Sequence, residues 1–262
     1  MAYRHLLYEV SDGVATLRLN RPDAANGIDL TTARELMEAT VRADEDPDVR
    51  AVLLAANGKM FSAGGDVKSF AGAGERLPSL LKELTVYLHA AVSRLARMDA
   101  PVVAAVGGPA AGAGMSLALA ADFVLVSDAA RFTMAYTRVG LSPDGSSTYW
   151  LPRLIGTRRT LELMMTNRTL DAGEALDWGL VNGLVDAAEL ESEALAFATQ
   201  LAKGPTRSFG SVKRLVQASF SESLETQMEH EARAIADASR TADGREGIAA
   251  FLEKRAPKFT GR

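Results

Sequence analysis

The chain has 262 residues, of which 47% are hydrophobic and 24% charged, and its formal net charge is −4. These values are typical of a globular protein with a sizeable core, and the weak acidity gives no electrostatic reason to expect a nucleic-acid partner. The absence of cysteine excludes disulfides, thiol nucleophiles and cysteine-ligated metals. No apolar run has membrane-spanning length and no signal-like segment opens the chain, so we expect a cytoplasmic protein with no membrane partner.

The N-terminal part of the chain predicts a β-hairpin followed by a helix. Apolar and polar residues alternate over 8–19, and Asp12-Gly13 in the middle of this segment is typical of a two-residue hairpin turn. Thr32 and Glu35 then stand three residues apart before an apolar-periodic segment. This spacing predicts a capping box, in which the two side chains close the first turn of a helix.

The middle of the chain repeats a pattern of strand, glycine-rich turn and helix. The pattern occurs at 50–72 and again at 101–121, which favours an α/β fold. The small residues of 71–75 indicate a mobile loop before a long helix over 76–97. After residue 204 the spacing of apolar residues becomes almost wholly helical.

The second glycine-rich turn has the composition of an anion-binding backbone. An apolar run at 102–106 is followed by glycine, proline and then a small-residue helix from about Gly112. The first turn of such a helix has unpaired N–H groups and the positive end of the helix dipole, which suit a developing negative charge. Leu117 excludes a dinucleotide fingerprint, and Ala113-Gly114 excludes a phosphate-binding P-loop. Tight helix–strand packing without chemistry remains the alternative.

The two glycine turns together resemble those of the crotonase family, also called the enoyl-CoA hydratase/isomerase family. The matching segments are Phe61-Ser-Ala-Gly-Gly-Asp66 and Ala105-Val-Gly-Gly-Pro-Ala-Ala-Gly-Ala-Gly114, and further motifs extend the resemblance over nearly the whole chain. The resemblance implies a right-handed spiral of ββα units over 1–203 that contains a CoA-thioester site. It also implies a C-terminal helical region over 204–262 that assembles a homotrimer or a dimer of trimers.

The resemblance also implies how an acyl-CoA would be bound. Coenzyme A would be part of the substrate, with no separate cofactor and no metal. Two backbone N–H groups, those of Gly65 and Ala113, would bind the thioester oxygen. The positions that would contact CoA are Ala63, Gly65, Asp66, Val67 and Lys68, joined by Lys254 and Lys258 of the charged tail, in part from a neighbouring subunit. A solvated chain end is the alternative for the tail.

The acid–base positions differ from those of the hydratases in the family. Hydratase members use two glutamates, and the matching positions here are Ser116 and Tyr136. Neither side chain serves as a carboxylate base, so we do not expect efficient hydration. Asp144, in Gly140-Leu-Ser-Pro-Asp144, matches a catalytic aspartate of family members that isomerise the ring epoxide of phenylacetyl-CoA. Local sequence alone favours another role for Asp144, capping of the following helix.

We therefore predict an isomerase of acyl-CoA thioesters. Gly65 and Ala113 would stabilise a thioenolate-like intermediate, Asp144 would move the proton, and Tyr136 would belong to the site. A hydrolase of the dehalogenase type is a second possibility, because dehalogenase members have a general-base histidine matching His89 and a nucleophilic aspartate matching Asp144. A partly buried histidine without catalytic function is the alternative for His89. A catalytically weak hydratase or a non-catalytic CoA-binding protein is the third possibility.

Overall fold

The computed structural model describes residues 3–262, which form two β-sheets and a set of helices. The strands of the larger sheet are, in spatial order, β1 (Leu6–Ser11), β2 (Val14–Leu19), β3 (Ala51–Ala56), β4 (Val102–Val106), β6 (Phe123–Ser127) and β9 (Gly183–Val185). The smaller sheet consists of β5 (Ala110–Ala111), β7 (Arg131–Thr133) and β8 (Leu170–Asp171). Strands β1 and β2 are antiparallel, whereas β2, β3, β4, β6 and β9 run parallel.

Helices connect the strands and then form the whole C-terminal part. They are α1 (Leu30–Glu45), α2 (Val67–Ala71), α3 (Leu77–Arg97), α4 (Ala113–Ala118), α5 (Ser147–Ile155), α6 (Thr157–Thr166), α7 (Ala172–Asp177), α8 (Leu190–Ala202), α9 (Thr206–Ala218), α10 (Leu224–Arg240) and α11 (Ala242–Leu252). Within residues 3–262, no helix has the length and apolar character that crossing a membrane requires.

Successive turns of the chain contribute one strand to each sheet. Strand β4 of the larger sheet leads into β5 of the smaller one, and β6 leads into β7 in the same way. The turn after β3 joins the smaller sheet through a bridge between Ser62 and Ala110. The parallel strands are joined by crossovers, which are right-handed in almost all proteins. The predicted α/β spiral is therefore confirmed, as is the N-terminal hairpin with Asp12 and Gly13 in left-handed conformations.

The two faces of the larger sheet pack against different layers. In β3, Val52 and Leu54 belong to the main core, which includes α1 and α3, whereas Leu53 belongs to a smaller cluster beneath α8. This alternation follows from the two-residue period of a strand. Because both faces of β3 and β4 are covered, their sequences are continuously apolar rather than alternating. The sheet is therefore rigid where its carboxyl ends form the glycine turns.

The predicted capping box at the start of α1 is wrong. The carboxylate of Asp29 caps the helix by accepting the N–H of Thr32 at 2.8 Å, so Thr32 lies inside the first turn. Glu35 is buried, and its two carboxylate oxygens accept the backbone N–H groups of Arg4 and His5, each at 2.8 Å. Glu35 thus attaches the N-terminal segment to α1 instead of closing the helix.

The segment 71–75, predicted as a loop, is a tight turn between two helical elements. Helix α2 ends at Ala71, residues 72 and 73 form the turn, and a short 3-10 turn at Gly74–Arg76 leads directly into α3. The connection is therefore shorter than predicted. The long helix predicted over 76–97 is confirmed as α3.

A buried ion pair attaches α9 to the sheet. The ammonium group of Lys213 lies 2.7 Å from Asp122 Oδ2 and donates to the carbonyl oxygens of Leu95 and Ala100 at 2.9 and 3.2 Å. Burial lowers the pKa of Lys213 and raises that of Asp122, and the mutual attraction of the two groups opposes both shifts. The pair therefore holds α9 against the carboxyl end of α3 and the start of β4.

The last residues of the chain are held by a second buried carboxylate. Asp243, at the start of α11, accepts the backbone N–H groups of Thr260 and Gly261 at 2.6 and 2.7 Å. The guanidinium of Arg50 donates to the carbonyl oxygen of Phe259 at 2.9 Å. Because Arg50 directly precedes β3, these contacts place residues 259–261 at the amino end of that strand, opposite to the glycine turns.

Candidate active site

Two backbone N–H groups at the carboxyl ends of β3 and β4 have no hydrogen-bond acceptor among the described residues. One belongs to Gly65, whose position is fixed because Ile28 donates to Gly64 and accepts from Asp66 at 2.7 and 3.0 Å. The other belongs to Ala113, the first residue of α4. Gly65 and Ala113 line the same cavity, which has a volume of about 310 Å³. The cavity is therefore lined by two residues whose backbone N–H groups have no acceptor among the described residues.

The two glycine turns pack directly against each other. Gly64 has a φ of +86°, and a Cβ atom there would lie 2.6 Å from the carbonyl oxygen of Ala111 and 3.1 Å from the nitrogen of Ala113. A Cβ atom at Gly114 would lie 2.5 Å from that of Ser62. The glycines thus serve close backbone packing, and that packing brings the two free N–H groups to one cavity. The tight packing that was the alternative interpretation of the glycine turns is therefore present, and anion binding by these turns stays a prediction.

The cavity has a mainly apolar wall with polar groups along one part of it. The apolar lining comes from the first glycine turn, α2, α3 and the segment before α5: Ile28, Val67, Phe70, Leu81, Leu84, Val139 and Leu141. The ring of Phe70 lies close above Gly65, since a Cβ atom at Gly65 would be 2.6 Å from it. The polar lining includes Tyr136 and Asp144. Such a wall suits an acyl group whose reacting end meets the polar residues.

The Asp144 carboxylate is bound to Tyr136 and does not cap a helix. The Tyr136 hydroxyl donates to Asp144 Oδ1 at 2.5 Å, and 27% of the Asp144 side chain remains exposed. Helix α5 begins at Ser147 without any side-chain cap. Gly145 and Ser146 both have left-handed φ values, 60° and 73°, and turn the chain away from Asp144. The helix-cap alternative for Asp144 is therefore wrong.

Tyr136 and Ser116 support Asp144 from the interior. Ser116 is fully buried, lies 3.4 Å from the Tyr136 hydroxyl and donates to the backbone carbonyl of Asp144 at 3.0 Å. Burial raises the pKa of Tyr136 far above its ordinary value, and the negative charge of Asp144 raises it further. The phenol is thus neutral and acts as a hydrogen-bond donor. No basic group contacts Ser116 among the described residues, so its hydroxyl is not activated for attack.

His89 lies beside Asp144 and the turn that follows it. Its Nε2 atom accepts the backbone N–H of Gly145 at 3.2 Å and is 4.0 Å from Asp144 Oδ2. About half of the side chain is exposed, 51%. His89 therefore fixes the turn after Asp144 in this geometry.

The predicted CoA-contacting residues of the first turn separate into two groups. Ala63, Gly65 and Val67 line the cavity. Asp66 and Lys68 do not line it. The Asp66 carboxylate caps α2 and lies 3.0 Å from the guanidinium of Arg21, and Lys68 is exposed on α2.

Lys254 and Lys258 lie in the exposed segment after α11 and do not line the cavity of this chain. The Lys258 backbone N–H donates to Glu246 at 2.8 Å, which holds this segment against α11. Sequence reasoning did not identify Leu81, Leu84 and Thr85, although they line the cavity. They lie on an ordinary amphipathic helix, and no motif distinguishes them from core residues.

Comparison with known proteins identifies the family. A family model described as enoyl-CoA hydratase/isomerase matches residues 9–262. The chain is 37% identical to a 1,2-epoxyphenylacetyl-CoA isomerase of Escherichia coli, with 98% of each chain covered. It is 40% identical to a 4-chlorobenzoyl coenzyme A dehalogenase of an Arthrobacter species, covering 87% of this chain and 83% of that one. An enoyl-CoA hydratase structure from a Polaromonas species superposes with a TM-score of 0.92 at 33% identity, covering 97% and 99% of the two chains. The protein therefore belongs to the enoyl-CoA hydratase/isomerase, or crotonase, family.

Proposed function

We propose that this protein isomerises an acyl-CoA thioester by moving a proton between two carbon atoms. The observation that carries the proposal is the location of the Asp144 carboxylate in the same cavity as the unpaired N–H groups of Gly65 and Ala113. A thioester carbonyl needs both elements: donors for its oxygen and a base for the proton next to it.

The proton transfer requires no further reactant. Ionised Asp144 takes the α-proton, and the C–H electron pair passes into a thioenolate whose oxygen becomes negative. The N–H groups of Gly65 and Ala113 bind that oxygen, and one such donor contributes about 3–4 kcal/mol to the transition state. Protonated Asp144 then returns the proton to another carbon, which completes the isomerisation. A positioned acid–base group contributes about 10²–10⁴-fold to such a step.

Hydration by a pair of glutamates has no support in this cavity. Asp144 is the only carboxylate among the described residues that line it. Ser116 and Tyr136 occupy the positions at which the sequence resemblance puts the two glutamates of hydratases, and both are neutral hydroxyls. A second carboxylate to activate water is therefore missing from the described cavity wall.

The dehalogenase-type hydrolysis is the second candidate, because the Arthrobacter relative is 40% identical and His89 Nε2 lies 4.0 Å from Asp144 Oδ2. In that reaction Asp144 would attack the substrate and His89 would activate water. The hydrogen bond from Gly145 to Nε2 argues against this role, because it occupies the lone pair that would accept the proton of water.

We also propose that the protein is a homotrimer, or a dimer of trimers, assembled through its C-terminal helices. Large apolar side chains on α10 and α11 are exposed, with Ile235, Phe251 and Leu252 at 73%, 83% and 75%. Apolar surface of this kind is typical of protein–protein contacts. Light scattering of the purified protein tests the proposal, and a monomer at micromolar concentration would contradict it. In such an assembly, Lys254 and Lys258 would be available to the CoA phosphates of a neighbouring subunit.

The isomerase proposal is tested with a panel of CoA thioesters and two variants. The panel contains 3-enoyl-CoA, ring-epoxide and oxepin thioesters of phenylacetyl-CoA, 2-enoyl-CoA and 4-chlorobenzoyl-CoA. We expect the wild type to isomerise 3-enoyl-CoA, whose double bond shifts when one proton moves between two carbon atoms. We expect Asp144→Asn to lose at least about 10²-fold in kcat and the exposed control Asp177→Asn to be unchanged. An isomerisation that survives Asp144→Asn, or activity confined to hydration or chloride release, would contradict the proposal.

A further inference from the structure

We infer that Tyr136 is a positioning residue that fixes the Asp144 carboxylate and determines which of its two oxygens exchanges the proton. This inference rests on the proposed function, since it assigns a partner to the base of that reaction. Its evidence is the arrangement of hydrogen bonds around Asp144.

The two oxygens of Asp144 have different surroundings. Oδ1 accepts the Tyr136 hydroxyl at 2.5 Å. The polar atom that lies near Oδ2 is His89 Nε2, at 4.0 Å. This nitrogen accepts the backbone N–H of Gly145. Oδ2 therefore has both of its lone pairs available for a proton, whereas one lone pair of Oδ1 is bound to the Tyr136 hydroxyl. The asymmetry assigns the proton exchange to Oδ2.

Groups other than Tyr136 also hold the backbone around Asp144. The buried Ser116 hydroxyl donates to the Asp144 carbonyl at 3.0 Å, and His89 accepts the N–H of Gly145 at 3.2 Å. The peptide group after Asp144 is thus held at both its oxygen and its nitrogen. The side chain of Asp144 can still rotate, and among the described residues the Tyr136 hydroxyl is the group that hydrogen-bonds its partly exposed carboxylate. A carboxylate that rotates in water spends little time at the distance needed for proton transfer.

The chemistry of Tyr136 suits this role. Its ring is packed against the hydrophobic core, so the hydroxyl has little freedom to move. Burial and the nearby carboxylate keep the phenol protonated, because they raise its pKa. A phenol that stays neutral donates its hydrogen bond to the ionised form of Asp144 throughout the working pH range. Tyr136 therefore acts through Asp144 rather than as a base itself.

The kinetic test is Tyr136→Phe, which removes only the hydroxyl. We expect kcat for the isomerised thioester to fall by about 10- to 100-fold while KM stays within about twofold, because misplacement of a catalytic group affects the chemical step more than binding. Tyr149→Phe is the matched control, since its exposed hydroxyl contacts no polar group among the described residues, and it should leave both constants unchanged. An unchanged kcat in folded Tyr136→Phe would overturn the inference.

A spectroscopic test does not depend on turnover. The five tyrosines are labelled as 3-fluorotyrosine, and the ¹⁹F resonance of Tyr136 is assigned by elimination, from single replacements of the other four tyrosines by phenylalanine. In the wild type this resonance should resist ionisation as the pH rises, and in Asp144→Asn it should ionise at lower pH because the neighbouring charge is gone. The same titration in both proteins would overturn the inference, even if Tyr136→Phe does not fold.

The two proposals fail in distinguishable ways. If Asp144→Asn remains active, the proposed function is wrong. If Asp144→Asn is inactive but Tyr136→Phe keeps the kcat of the wild type, the proposed function stands and only the positioning role of Tyr136 is wrong.

Discussion

Replacement of Gly64 by alanine should separate the two glycine turns and thereby reduce catalysis. The new Cβ atom would lie 2.6 Å from the carbonyl oxygen of Ala111, whereas ordinary contact begins at 3.4 Å, so one turn must move by roughly 0.8 Å. Both contacting groups belong to the backbone, and no side-chain rotation relieves the clash. The same Cβ atom would be 3.1 Å from the nitrogen of Ala113, which is one of the two free donors.

The expected magnitude follows from the loss of one donor. Removing a single oxyanion donor lowers kcat by about 10²–10³-fold, and we expect Gly64→Ala to show a loss of this order. The left-handed φ of +86° adds about 1–2 kcal/mol of destabilisation for any residue with a Cβ atom. Gly74→Ala is the matched control, because Gly74 also has a left-handed φ, +53°, but nothing within 4 Å of the new Cβ. The Gly74→Ala variant should be less stable than the wild type but have the same kcat.

The assay is kcat and KM for the isomerised thioester, measured beside urea unfolding and circular dichroism of both variants. The predicted outcome is a loss of stability in both variants, larger in Gly64→Ala because of the backbone clash, with a loss of kcat only in Gly64→Ala. If folded Gly64→Ala retains kcat within about twofold of the wild type, the proposed joint action of Gly65 and Ala113 on one oxygen is refuted.

Three further predictions concern the contacts that hold the C-terminal region. Lys213→Met should lower the free energy of unfolding in urea by about 3 kcal/mol at pH 7, because it leaves the buried charge of Asp122 without its cationic partner. The loss should be smaller in acid, where Asp122 takes up a proton, and equal losses at both pH values would contradict this. Asp243→Ala should cost about 1.5–3 kcal/mol on the same measure, as it leaves the backbone N–H groups of the chain end unpaired; a loss below 0.5 kcal/mol would argue against that attachment. The Arg255 guanidinium lowers the pKa of Glu246 to about 2. The stabilisation of the fold by ionised Glu246 is therefore complete above the ordinary pKa of 4.5, and it is lost as the pH falls from 4.5 toward 2. Glu246→Gln should therefore be less stable than the wild type at pH 6 and equally stable near pH 2, and a constant difference between the two would contradict the assignment.

The sequence predicted the elements that local patterns specify. The hairpin at Asp12-Gly13 and the long helix α3 follow from a two-residue turn and from apolar periodicity, and neither depends on distant contacts. The glycine turns at Gly65 and Ala113 were identified by composition, since only small residues permit backbone to approach backbone so closely.

The capping box illustrates where local patterns fail. Asp29 and Thr32 are both good cap residues, and a local rule does not choose between them. The choice depends on Glu35, whose carboxylate binds the N–H groups of Arg4 and His5, about 30 positions away in the chain. A carboxylate that satisfies two backbone donors is not available to close its own helix.

The amino-acid sequence by itself determined the two glycine turns and, through their resemblance to those of a known family, the family and the α/β spiral, because glycine turns and strand patterns are properties of contiguous residues. Only the tertiary structure decided which group the Asp144 carboxylate binds. The local sequence makes Asp144 a good cap for α5. Its actual partner is the Tyr136 hydroxyl, which the short 3-10 turn at Thr137–Val139 brings close to it. A short polar side chain binds whichever donor the fold places nearest, and that donor was not a neighbour in sequence.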